Sequence, residues 1–138
     1  MSYLRVFVYG TLKPGEVNYQ FYCAKYIVES FPAVANGLLY ELPIGYPGMT
    51  NGKGKVYGFV LSFLEPKILL ELDELEDYHP ERLSEENEYQ RQKVPIFGLD
   101  GQYLGDVWSY LMLPEKVKLL GGKLLYDGFW TGDSTINN

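Results

Sequence analysis

Two features of this sequence could do chemistry together. The first is Arg5-Val6-Phe7-Val8-Tyr9-Gly10-Thr11-Leu12-Lys13-Pro14-Gly15. Its β-branched and aromatic part, Val6-Phe7-Val8-Tyr9, reads as a strand covered on both faces. Gly10 then admits backbone angles closed to other residues, or the close approach of another group. Thr11, Leu12 and Lys13 bring successive N–H groups into the turn, Pro14 has none, and Gly15 ends it. Such a nest of donors can hold an anion or a developing oxyanion. The bland reading is a plain strand exit, and spacing alone favours it.

The second feature is an acid on the apolar stripe of a helix. Glu65-Pro66 predicts a helix start, with proline suited to the first turn, and the helix is expected to run to about residue 78. Each residue rotates the helix by about 100°. Relative to Leu72, Ile68, Leu69 and Leu75 fall within about 60°, which defines the buried arc, and Glu76 falls about 40° away, inside it. Glu74 and Asp77 point outward, Glu71 and Asp73 lie at the edges, and Leu70 is an apolar residue facing out. A semi-buried Glu76 would have its pKa raised by desolvation and by the surrounding acids, which makes a better general base at neutral pH. In the other reading the helix frays, and Glu76 turns to water or pairs with Arg82 or Arg91. Helix geometry leaves both open. The remaining acids, with Glu81, Glu85, Glu86 and Glu88, read as a solvated face.

Several short elements must position these groups. Residues 18–21 predict a short helix or turn with Asn18 as its cap. Strands are expected at 25–30 and 33–42, broken by Pro32. Residues 43–55, rich in glycine and proline and carrying Tyr46, predict a long loop of the kind that borders binding sites. A strand at 56–64 follows, and Pro80 is expected to end the helix. Strands at 88–97 and 103–113 flank an Asp100-Gly101 turn. One weak strand or helix piece follows Pro114, and residues 127–138 are expected to form a mobile tail. One main helix among many strands does not fit a doubly wound parallel sheet. The expected fold is α+β: a small, mixed, mostly antiparallel barrel with the helix packed across it, in a single domain of residues 1–138.

Composition narrows the function. The chain has 138 residues, enough for one domain with a proper core, and at 46% hydrophobic it is not a disordered chain. A formal charge of −6 argues against binding a nucleic-acid backbone. Cys23 and His79 are the only residues of their types, which leaves no internal disulfide, no cysteine or histidine metal cluster, and a poor basis for a Ser-His-Asp triad. No apolar run approaches a membrane span and no leader precedes the first strand. The reading is a cytoplasmic protein of unknown oligomeric state, with no cysteine or histidine cluster for a metal. Cys23 is read as a small buried hydrophobe, and His79 as a surface residue.

The motifs then resemble a known family. Val8-Tyr9-Gly10-Thr11-Leu12, followed by Gly15 and Asn18, resembles the first motif of the γ-glutamyl cyclotransferase-like family, in its AIG2-like, γ-glutamylamine branch. Leu72-Asp73-Glu74-Leu75-Glu76-Asp77-Tyr78 is similar to its second, Leu-Asp-x-x-Glu-Gly-Tyr. Gly37-x-Leu39-Tyr40, Tyr46-Pro47-Gly48, Tyr89-x-Arg91 and Trp108-x-Tyr110 follow the family's order. Asp77 replaces the usual glycine, and Trp108 stands where a tyrosine is common. The resemblance implies a small mixed barrel and a cofactor-free reaction. The α-amine of a small-molecule γ-glutamyl substrate attacks its own side-chain carbonyl, releasing 5-oxoproline and an amine or amino acid. It implies Glu76 as the acid/base and the amides of Gly10, Thr11 and Leu12 as holders of the carboxylate or oxyanion. Tyr46 and Tyr110 become candidate pocket hydroxyls, Tyr9 a pocket or core ring, and Arg91 a substrate contact or an ion pair with the acidic loop. A non-catalytic binding or regulatory domain of the same fold is the alternative. Tyr126, Phe129 and Trp130 would serve a partner surface, or fold back on the barrel.

Overall fold

The first strand is buried on both sides, and the fold is built outward from it. A computed structural model of the chain describes residues 4–132. Strand β1 (Leu4–Val8) is followed by α1 (Tyr19–Tyr22), β2 (Ile27–Glu41), β3 (Pro47–Phe63), α2 (Ile68–Leu75), a 3-10 turn (Ser84–Glu86), β4 (Gln90–Phe97), β5 (Tyr103–Leu111), α3 (Pro114–Leu120) and β6 (Lys123–Leu124). Alternate side chains of a strand point to opposite faces. Val6 and Val8 therefore enter one apolar cluster with Leu61, Phe63, Leu72 and Tyr110, while Phe7 and Tyr9 enter another with Ala33, Val60, Ile96 and Trp130.

The fold is mixed α+β. Its sheet is six-stranded in the order β3-β1-β5-β4-β2-β6, and β2 also pairs with β3, so hydrogen bonds link five of the strands in a circuit. Only the β1–β5 pair is parallel among the described residues. In place of one main helix there are three short ones, and α3, of seven residues, is nearly as long as α2, of eight.

Two expectations about strands are corrected. Pro32 does not break β2; it sits in the ladder opposite Phe59. β4 pairs with β2 only at Val34 and Ala35, which leaves Pro32 beside an unpaired edge, where proline is tolerated. Nor is 43–55 a loop. Only residues 42–46 turn, and β3 begins at Pro47. Its glycines serve close packing: a Cβ on Gly52 would lie 2.7 Å from Leu38 Cγ, and one on Gly54 would lie 2.8 Å from the Gly37 carbonyl oxygen. Residues 51–54 bulge from the ladder there, between the Leu38–Thr50 and Asn36–Lys55 pairs.

Helix α2 stops before Pro80. The Tyr78 N–H donates to the Asp73 carbonyl at 2.9 Å and the Asp77 N–H to the Glu74 carbonyl at 3.2 Å, the crossed pair of bonds that closes a helix through a left-handed residue. That residue is Asp77, at φ 55° the only non-glycine with positive φ among the described residues. Aspartate tolerates this conformation better than most side chains, which explains how it stands where the resembling motif has glycine.

The chain beyond β6 turns back over the sheet. The Tyr57 N–H donates to the Gly128 carbonyl at 2.8 Å, the Gly132 N–H donates to Glu16 Oε1 at 3.3 Å, and Trp130 is buried while Tyr126 is exposed. Residues 133–138 of the expected tail lie outside the described residues.

The left-handed turn at Asp77 is open to a direct test. Asp77→Val should lower stability by about 1–2 kcal/mol, because a β-branched side chain is a steric outlier at positive φ. Asp77→Gly should stay within about 0.5 kcal/mol of the parent in the same urea titration. Equal losses from the two would show that the backbone angle is not what this position demands.

Candidate functional site

A cleft of about 170 Å³ opens where β1 runs out, between the end of α2, the approach to β4, the end of β5 and the start of β3. Tyr9, Gly10, Thr11, Leu12, Tyr46, Glu76 and Tyr110 all line it, together with Asn18, Pro47, Glu88 and Tyr89.

Gly10 is needed for close approach, not for its backbone angle. A Cβ there would lie 2.8 Å from Pro47 Cγ, so glycine lets the strand exit lie against the first residue of β3. The loop then folds on itself. The Lys13 N–H donates to the Gly10 carbonyl at 3.0 Å and the Asn18 N–H to the Thr11 carbonyl at 2.9 Å, while Asn18 Nδ2 donates to Thr11 Oγ1 at 3.0 Å. The side chain of Asn18 therefore fastens the loop and does not cap α1. The Lys13 amide closes the turn and is not part of the nest. The amides of Gly10, Thr11 and Leu12 donate to no protein acceptor among the described residues. The Lys13 side chain is buried under the C-terminal segment: Nζ donates to the Trp130 carbonyl and lies 4.0 Å from the centre of the Phe129 ring. Burial lowers its pKa.

Glu76 is the last residue before the left-handed turn, and its N–H still bonds to the Leu72 carbonyl at 2.9 Å. The helical phase is thus kept, and the side chain is directed to the cleft. Its carboxylate has no hydrogen bond or ion pair among the described residues. Enclosure by protein, and secondarily the charge of Glu88, raise its pKa to about 8. The arginines that could neutralise it are held elsewhere. Arg82 Nη2 lies 3.0 Å from Asp77 Oδ1, and Arg91 Nε lies 3.2 Å from Asp73 Oδ1. Arg91 is also 4.6 Å from the Trp108 ring centre. It therefore pairs with α2, not with the acidic loop, and does not line the cleft.

The tyrosines form a scaffold of committed hydroxyls. Tyr9 donates to the Tyr110 carbonyl at 2.6 Å and accepts from the Met49 N–H at 3.3 Å. Tyr110 donates to Asp73 Oδ1 at 2.7 Å, Tyr89 to the Pro47 carbonyl at 2.6 Å, and Tyr46 to Glu88 Oε2. Burial raises the pKa of all four, so they stay protonated donors at neutral pH. Asp73 is buried, not at an edge; burial raises its pKa, while Tyr110 and Arg91 oppose that shift.

Cys23 is buried in the core, as the sequence suggests, and burial with the charge of Glu76 pushes its thiol up to about 12. His79 is only partly exposed and lies 3.9 Å from Glu74 and 4.0 Å from Asp77. Glu88 is the residue that sequence reasoning misplaces: it faces the cleft, not open solvent. It precedes β4, so no strand alternation marks its direction. Its only signal is the neighbouring Tyr89. Among the described residues no group of acids, histidines and cysteines is arranged to hold a metal ion, and no helix is long and apolar enough to cross a membrane.

Known proteins share the sequence pattern and the fold. The family model described as gamma-glutamyl cyclotransferase, AIG2-like, matches residues 6–132. A Vibrio cholerae protein described as "Putative gamma-glutamylcyclotransferase" is 38% identical over 72 residues, which are 52% of this chain and 61% of that relative's length. The Escherichia coli protein ytfP is 30% identical with a TM-score of 0.56, covering 92% of this chain and 96% of that one. An AIG2-like protein from Mus musculus has the same fold at 21% identity, with a TM-score of 0.70 and coverage of 99% and 94%.

The raised pKa of Glu76 has a sign that stability measurements can read. The folded chain holds the proton up to about 8, whereas an ordinary glutamate loses it near 4.5. Stability should therefore fall as pH rises through that window, by at most about 1.4 kcal/mol per pH unit. Glu76→Gln, with no charge to bury, should be the more stable protein at pH 8, and the difference should shrink toward pH 5. Parallel denaturation curves at the two pH values would place the Glu76 carboxyl at its ordinary pKa.

Proposed function

The chain belongs to the gamma-glutamyl cyclotransferase, AIG2-like family, and we propose that it is an enzyme that converts a small γ-glutamyl compound into 5-oxoproline and a free amine or amino acid. The observation that carries this reading is an unpaired carboxylate, Glu76, lining the same cleft as Gly10, Thr11 and Leu12, residues whose amides bond to no protein acceptor among the described residues. A base and an anion cradle are what an internal acyl transfer needs.

On this reading Glu76 removes a proton from the substrate α-ammonium. The freed amine attacks the γ-carbonyl carbon and closes a five-membered lactam. The carbonyl oxygen becomes an oxyanion in the tetrahedral intermediate. Protonated Glu76 then gives its proton to the departing nitrogen as the original amide bond breaks. The ionised Glu76 takes the second proton from the ring nitrogen, leaving a neutral lactam, and passes it to the released amine or to water. A pKa of about 8 suits both steps near neutral pH, since the same group must take and give the proton. The amides of residues 10–12 receive the substrate carboxylate or the oxyanion. Nucleophile and electrophile share one molecule, so holding the folded conformer can supply roughly 7–11 kcal/mol of the barrier, and the scheme calls on no cofactor. Tyr9, Tyr89 and Tyr110 wall the cleft, and the Tyr110–Asp73–Arg91 cluster positions α2 and with it Glu76. The hydrogen-bonded circuit of strands serves as a small barrel that fixes these parts in one domain, in a cytoplasmic setting.

The test is a panel of γ-glutamyl-ε-lysine, several γ-glutamyl amino acids and glutathione, with 5-oxoproline followed by mass spectrometry. Turnover of at least one compound should fall about 10²–10⁴-fold in Glu76→Gln, and kcat/KM should rise with pH to a limb near 8. Near-parental turnover in Glu76→Gln would remove Glu76 as the base. Binding of these compounds without turnover would instead make the chain a binding module.

A further inference from the structure

Two acids, Glu76 and Glu88, line the cleft, and among the described residues no lysine, arginine or histidine does. The cations on the flanking segments are engaged: Lys13 with the Trp130 carbonyl, Arg82 with Asp77, Arg91 with Asp73, and Lys116 with the Asn87 carbonyl beside Glu88, at 3.1 Å. Buried Tyr9, Tyr89 and Tyr110 form the inner wall, whereas Tyr46 and Glu88 are only partly buried. Tyr46 donates its hydroxyl to Glu88 Oε2. That bond fixes the carboxylate's direction and leaves Oε1 without a partner among the described residues. This pair sits on the segments that lead into β3 and β4, apart from the end of α2 and the 10–12 loop that carry Glu76 and the free amides.

Resting on the cyclotransferase reading above, we propose that Glu88, held by Tyr46, is a specificity residue that selects γ-glutamyl conjugates whose leaving amine carries a second, cationic group. A leaving group that ends in a carboxylate would meet Glu88 with no cation in the cleft to offset the repulsion. One that ends in an ammonium would find Oε1 waiting. The glutamyl end is recognised separately, by Glu76 and the amides of residues 10–12. Glu88 thus touches the part of the substrate that does not react and sets which amine is released.

Three γ-glutamyl amides of matched length test this. Their leaving groups are 1,4-diaminobutane, butylamine and 4-aminobutanoate. The expected order of kcat/KM is cationic, then neutral, then anionic, with about fivefold between the first two, the size of a half-exposed ion pair. Glu88→Gln should bring the cationic-to-neutral ratio close to one, Tyr46→Phe should lower it in part, and 0.5 M salt should lower it in the parent. The ratio is read within each protein, so a general loss of activity or folding does not mimic the effect. Equal rates for all three amides in the parent, or an unchanged ratio in Glu88→Gln, would overturn the proposal. A uniform loss for all three in Glu88→Gln would also overturn it, by placing Glu88 on the glutamyl end. Calorimetric affinities for the same amides read the order without turnover. Charge-ordered binding without 5-oxoproline would defeat the reaction and leave the selectivity standing, and equal affinities would defeat the selectivity alone.

Discussion

Enclosing the Glu76 carboxylate without a partner works against folding, because removing a charge from water is unfavourable unless another charge or donor replaces the solvent. The chain tolerates this by fixing the backbone around it. The Tyr78 and Asp77 amides close the end of α2 on the carbonyls of Asp73 and Glu74. One turn earlier, Asp73 is tied to Tyr110 and Arg91 on the neighbouring strands. With both sides of Glu76 anchored, its side chain cannot reach open solvent by fraying the helix end. The response left to it is a higher affinity for a proton, which is the property that acid/base chemistry uses.

The other half of the cleft has a related origin. A strand buried on both faces must end abruptly if its exit is to stay accessible, and β1 does so at Gly10, against Pro47. The loop that follows uses the Lys13 amide to close itself, and the Lys13 side chain then clamps the segment carrying Phe129 and Trp130. The free amides of residues 10–12 are thus held from below by the turn and from behind by a stretch far away in sequence. The proposed role of these amides depends on donors that do not reorganise during reaction, and this double fastening supplies that rigidity.

Much of this was legible in the sequence where local physics decides it. Helical period placed Glu76 on the apolar arc with Leu72, and the apolar run before Gly10 marked a strand covered on both sides. Other elements depended on partners that the sequence does not show. Glycines at 48, 52 and 54 read as a loop, yet they lie in β3, where Leu38 and the Gly37 carbonyl leave no room for a side chain at 52 and 54 and Met112 packs close to 48. Pro32 reads as a break, yet β2 continues because the strand beside it is short of partners there. Glu88 reads as solvated because it is a charged residue at the end of an expected strand, where the partners that enclose it are not visible. Asp73 reads as an edge position, while its burial is set by Tyr110, which lies on another strand.

The acids of α2 show how local pattern and tertiary role can part. Along the sequence they look like a solvated face with one misplaced member. In the fold, Asp73 and Asp77 flank Glu76 on the two sides from which a cation could arrive, and each holds one arginine. Without Asp73, Arg91 would be a buried cation in need of an anion, and without Asp77 the guanidinium of Arg82 would lose its carboxylate. Glu76 would be the acid between them. An ion pair there would hold the carboxyl ionised and lower its pKa, the opposite of what the enclosed site produces. The flanking aspartates thus engage the two arginines nearest in sequence and leave Glu76 unpaired. The usual glycine at position 77 could supply the backbone turn and keep the Arg82 bond to the residue 77 carbonyl at 2.9 Å, but not the second bond, to a carboxylate, at 3.0 Å.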